Sequence, residues 1–155
     1  MLSVVVWAAQ IMLAILFLYA AIPKLTGRGI ERWTGFSDLP SGLVKFIGTT
    51  ELLGAIGLIV PMATAVIPAL TPLAAVGLGI ITLMASGFHL RADERVNALE
   101  TILWSAVAAV IAIARWHLVT EEMHIAPAIL IAALAVLVPA LLINLAVIIR
   151  RPVHG

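Results

Sequence analysis

The sequence predicts an all-α transmembrane bundle of five helices. Three observations carry that expectation. Of 155 residues, 63% are hydrophobic and only 11% charged, with a mean hydropathy of +1.19; a soluble domain of this size could not cover its surface with so few charges. Five segments reach the roughly 20 apolar residues that a spanning helix needs. Open strands in those segments would leave backbone groups unpaired in lipid, so helices are the workable solution.

The first segment, residues 4–22 within "VVVWAAQIMLAILFLYAAI", is too long for a signal-peptide core. It has no basic region before it and no small-residue cleavage site after it, so it reads as a retained helix. Residues three, four and seven apart share a helix face. Trp7, Gln10, Phe17, Ala21 and Lys24 therefore form one stripe. A polar connection over 23–41 follows. Gly27, Gly29, Gly35 and Gly42 are expected as turn-formers, and Trp33 and Phe36 as interface anchors.

The second segment, 42–60, contains "FIGTTELLGAIGLIV" with an acid, Glu51, inside it. Gly48, Glu51, Ala55 and Leu58 line up, and Gly54 and Gly57 beside them permit close approach by a neighbour. After "PMATAVIP" the third segment, 67–89, has a small or polar residue at every step of one stripe: Thr71, Ala75, Gly79, Thr82, Ser86, His89. Such a stripe is a buried seam. Past "RADER", the fourth segment, 97–115, opens with Asn97, Glu100, Thr101, Trp104 and Ser105. The fifth, 125–148, has only Pro139, expected to kink it, and Asn144, and reads as a packing or partner helix.

The chain thus reads as a single membrane domain over 1–155 whose first partner is the lipid bilayer. Positive charge predicts its orientation. Lys24, Arg28, Arg32 and Lys45 flank the first connection, Arg91 and Arg95 the third, and Arg150 and Arg151 follow the last helix. The opposite side has Arg115 beside Glu121 and Glu122. The N-terminus is expected outside and the C-terminus in the cytoplasm. A net charge of +1 offers no basic surface for nucleic acid. The absence of Cys excludes disulfides, thiolate metal sites and any thiol relay within this chain.

Counted inward from the cytoplasmic side, Lys24, His89, Asn97 and Glu100 fall within the first turn or so. Glu51 lies about 12 Å deep at the helical rise per residue. An isolated carboxylate there costs several kcal/mol unless paired or neutralised. It is either a structural ion pair that fixes helix register or a proton or ligand site. Lys24 either snorkels to the headgroups or reaches inward to Glu51, and Gln10 matters to the site only in the second case. His89 gains interest from the Thr82–Ser86 stripe. Asn97 fits helix capping, and Glu100 the dipole of a helix start. The types in "HLVTEEMH" suit a divalent metal, but their spacing matches no helical ligand pair, and a solvated loop explains them. Neither a Gly-rich phosphate loop nor a haem or flavin motif is visible.

Taken together, "AIPKLTG", "GTTELLGAIGLIVP", "LTPLAAVGLGIITLMASGFHLR" and the "N…AR" spacing of the fourth segment resemble the DoxX-like family of small bacterial membrane proteins, over about residues 8–116. The resemblance implies a four-helix core extended by the fifth helix and a place in the bacterial inner membrane. It sets Lys24, Glu51, His89 and Asn97 at motif positions. The family name derives from a relative associated with thiosulfate:quinone oxidoreduction, and other relatives look linked to oxidative-stress complexes or membrane-protein assembly. Joined to the polar leaflet found above, this gives the leading expectation. It is a membrane subunit that binds a quinone-like small molecule and works with a redox partner in an oxidoreductase system. Glu51 is its proton-transferring catalytic residue. Lys24, His89, Asn97, Gln10, Ser86 and Glu100 are its ligand-binding residues, with Lys24 or His89 on a carbonyl. Two alternatives stay open. One is a non-catalytic assembly protein that docks another membrane protein. The other is a small proton-coupled transporter, for which a homo-oligomer would have to supply the symmetry that a missing inverted repeat denies.

Overall fold

The structure is a computed structural model and describes residues 2–29, 39–124 and 126–150. Arg32, Trp33, Gly35, Phe36 and Arg151 lie outside the described residues, as does the side chain of Arg150. Five helices follow in order: α1 (Leu2–Thr26), α2 (Ser41–Thr64), α3 (Leu70–Arg91), α4 (Arg95–Met123) and α5 (Pro127–Arg150). Each is long and apolar enough to cross a membrane, and the described residues contain no strand. Each of the five expected segments therefore holds a helix; α1, α2 and α4 are longer than the hydrophobic run alone indicates, while α3 starts at Leu70 instead of 67 and α5 at Pro127 instead of 125. Helices continue past the apolar stretch because backbone pairing, once started, extends into polar residues at little cost.

The four-helix core is a ring. α1 packs on α2, α2 on α3, α3 on α4, and α4 returns to α1, while α5 lies outside against α3 and α4. Inside the ring Leu13, Phe17, Leu58, Leu78 and Ile111 are fully buried. The predicted stripes face inward: Gly48, Glu51, Ala55 and Leu58 of α2 are buried, as are all six positions of the α3 seam. Small residues make this contact close. A Cβ at Gly48 would sit 2.8 Å from the Cβ of Lys24, and one at Gly54 would sit 2.5 Å from a Leu78 methyl. Polar seam residues bridge helices through backbone carbonyls: the Ser105 hydroxyl donates to the Gly79 carbonyl at 2.8 Å, and Thr71 to the Gly57 carbonyl at 3.0 Å.

Three local features add to or alter the expectations. "WHLVTE" belongs to the last turns of α4, not to a loop, so Arg115 lies inside a helix and is buried, at 9% exposure. At that end Glu122 accepts a hydrogen bond from the Ala69 N–H at 3.1 Å, placing a carboxylate at the start of α3 where the helix dipole favours it. Pro139, where a kink is expected, lies inside α5, which is helical on both sides of it. This helix is not wholly featureless, because the Asn144 amide donates to the Ser86 hydroxyl at 2.6 Å and ties α5 to the ring.

Candidate functional site

Lys24 ends α1 and Glu51 sits within α2, and the Gly48 contact brings the two together. The Lys24 ammonium donates to both carboxylate oxygens of Glu51, at 2.9 and 2.8 Å, and to the Ala20 carbonyl at 3.1 Å. Both residues are 5% exposed. Lys24 therefore turns inward along its stripe instead of snorkelling. An ammonium has three donors, and each has a protein acceptor here.

Across the ring, at the ends of α3 and α4, a second polar group forms around a residue the sequence reading passed over. Asp93 takes a left-handed conformation, φ 59°, and the chain turns so that the Glu94 N–H donates to the His89 carbonyl at 2.9 Å. The Glu94 carboxylate then pairs with Nδ1 of His89 and accepts the Asn97 amide at 3.3 Å. His89 is 4% exposed. No helical spacing links positions 89 and 94, and the pairing exists because the α3–α4 turn folds back on itself.

Between these groups lies a cavity of about 180 Å³. Its polar wall comprises Lys24, Glu51, Thr82, His89, Asn97, Glu100 and Thr101. Its apolar wall is Leu16, Phe17, Ala20, Ala85 and the ring of Trp104. Most of the lining comes from α1 and α4, with exposed Tyr19 and Glu100 at the rim. The Trp104 indole N–H donates to Glu100 at 3.4 Å. A larger groove of about 290 Å³ lies between α3, α4 and α5, but its lining is wholly apolar apart from Gly79, and it offers no chemistry.

The structure thus brings Lys24, Glu51, His89, Asn97 and Glu100 to one cavity. It does not bring Gln10 or Ser86 there. Ser86 is engaged by Asn144 and donates to the Leu83 carbonyl at 2.7 Å. Gln10 lies toward the other end of the bundle, where its amide donates to the Leu58 carbonyl at 2.7 Å and its oxygen accepts from Nε of Arg115 at 3.1 Å. A shared stripe on α1 does not place Gln10 beside Lys24, because four helical turns separate them. Arg115 stands over the Trp7 ring, 5.8 Å from its centroid, and its Nη2 has no hydrogen-bond partner among the described residues. Among the described residues no carboxylate pairs with it, and no group of three or more His, Asp or Glu is placed to hold a metal ion. Arg115 was readable from the sequence: Ala108, Ile111, Arg115 and Val119 continue one buried stripe of α4.

The family model described as DoxX-like matches residues 8–115. No curated relative and no solved structure matches the chain.

Proposed function

The chain belongs to the DoxX-like family, and from that premise we propose that this integral membrane protein binds the ring of a quinone-like molecule and exchanges protons with it, electrons passing to or from a redox partner. The observation that carries the reading is the cavity itself. It joins a buried Lys24–Glu51 pair and a His89–Glu94 pair to an apolar wall, and its lining comes chiefly from α1 and α4. An amphiphile moving in the bilayer reaches such a site sideways, between two helices. An engineered cavity of about 150 Å³ holds a benzene ring, so about 180 Å³ admits one substituted ring and leaves an apolar tail among the lipids.

In this reading Glu51 is the proton-exchanging residue. Lys24, with its three donors already directed at Glu51 and Ala20, keeps that carboxylate in place and does not itself hold a ligand carbonyl. His89, Asn97 and Glu100 bind. Purified protein in nanodiscs should bind a short-chain benzoquinone/benzoquinol couple, and Glu51→Gln should weaken binding by roughly tenfold or more, the scale of one hydrogen bond to a charged group. Unchanged binding in Glu51→Gln would remove the reading.

The orientation proposed with it puts the cavity toward the cytoplasmic side of a bacterial inner membrane. Lys24, Lys45, Arg91 and Arg95 lie near the ends of α1 to α4 at that side of the ring, and Arg28 follows α1 by two residues. Because the chain has no Cys, single substitutions report on this directly. A membrane-impermeant maleimide should label Glu121→Cys in intact cells and Asp93→Cys only after permeabilisation; the opposite pattern would invert the topology.

A further inference from the structure

The hydrogen-bonding polarity of the cavity says which form of such a ligand it prefers. Most of its lining donors are directed at the protein, Nδ1 of His89 at Glu94 among them. All three of the Lys24 ammonium are engaged. The Thr82 hydroxyl donates to the Leu78 carbonyl at 2.8 Å, and the Thr101 hydroxyl to the Asn97 carbonyl at 2.9 Å. The Trp104 N–H is directed at Glu100. Among the described residues Asn97 keeps one amide hydrogen beyond its bond to Glu94.

Acceptors are in excess. A carboxylate offers about four lone-pair sites. Among the described residues Glu51 accepts the two bonds from Lys24 and no other, and Glu100 the one from Trp104. Carboxylates facing a cavity bounded by apolar side chains favour a guest that donates, because bonds to a charged acceptor are about twice as strong as neutral ones. A carbonyl oxygen brought to the same place meets negative charge and few donors.

We propose that the cavity is selective for a hydroxyl-bearing ring, the reduced quinol form, over the corresponding dicarbonyl quinone, with Glu51 and Glu100 as the receiving groups. This rests on the reading of the site as a quinone-like pocket and adds which member of the couple it holds. It concerns binding alone: a ring hydroxyl donates to a carboxylate, and no electron moves in the step. Glu100, read from the sequence as a helix-dipole residue and as one of the ligand-binding set, becomes here a specificity determinant at the cavity rim.

The test is equilibrium binding of a short-chain benzoquinol and its benzoquinone, measured separately and anaerobically on full-length protein in nanodiscs. The quinol should bind at least about tenfold more tightly, the scale of one charge-assisted hydrogen bond. Glu100→Gln, at an exposed position that does not threaten folding, replaces an acceptor with a group that also donates and should narrow the preference to about threefold or less, by loss of the charge assistance. Equal affinities, or tighter quinone binding, in the native protein would overturn the selectivity and leave the site reading standing. A preference unmoved by Glu100→Gln would overturn the assignment of that residue. Binding of neither form would overturn both the selectivity and the function proposed above.

Discussion

Lys24→Met is expected to destabilise the protein by about 3–5 kcal/mol, the range for breaking a buried ion pair from one side. The substitution leaves Glu51 inside α2, 5% exposed and without either of the hydrogen bonds it accepts. The reverse variant should cost less. In Glu51→Leu the remaining ammonium sits in the last turn of α1, where a long flexible side chain can turn outward to the headgroups. The double variant Lys24→Met/Glu51→Leu should recover most of the loss, because two apolar side chains of similar volume replace a pair whose desolvation offsets much of its attraction. Denaturant unfolding in detergent micelles, followed by tryptophan fluorescence, reads all three. Additive losses in the double variant would show that the two residues do not act as a unit.

Gln10→Leu carries the second large effect, about 3 kcal/mol, as expected when a buried charged donor loses its acceptor. Arg115 would then have neither its bond from Nε nor one from Nη2, while the Leu58 carbonyl would lose a donor. Combining Gln10→Leu with Arg115→Met removes the stranded charge and should restore much of the stability. Neither change touches the cavity lining. Ligand affinity of the folded fraction should therefore stay within about twofold of native, within the few tenths of a kcal/mol expected of well-separated sites. A loss of affinity without a loss of stability would join Gln10 to the ligand site after all.

These two polar nodes were legible to different degrees. The Lys24–Glu51 pair was one of two readings of a lysine at a helix end, and the periodicity of α1 and α2 put both residues on inward stripes. What it could not supply was the close approach at Gly48 that lets the lysine reach Glu51. The α3 stripe was readable in full, since every member is small or polar and every member is buried. Glu94 was not readable, because its partnership with His89 spans a turn with a left-handed residue and follows no helical period. Gln10 lies away from the cavity that the same logic led to elsewhere: a stripe fixes the face of a helix and is silent about depth along it.

The amino-acid sequence by itself determined the solvent, the secondary structure and the inward faces. Apolar runs of spanning length must be helical in lipid, where backbone groups find no water, and polar residues at helical spacing must turn away from the acyl chains. Only the tertiary structure decided which inward residues meet. Helix order around the ring, the depth of each side chain and the direction of the α3–α4 turn are set by packing between segments distant in the chain. That packing divides the polar residues into a lysine–glutamate and histidine–glutamate cavity at one end and an arginine–glutamine node at the other.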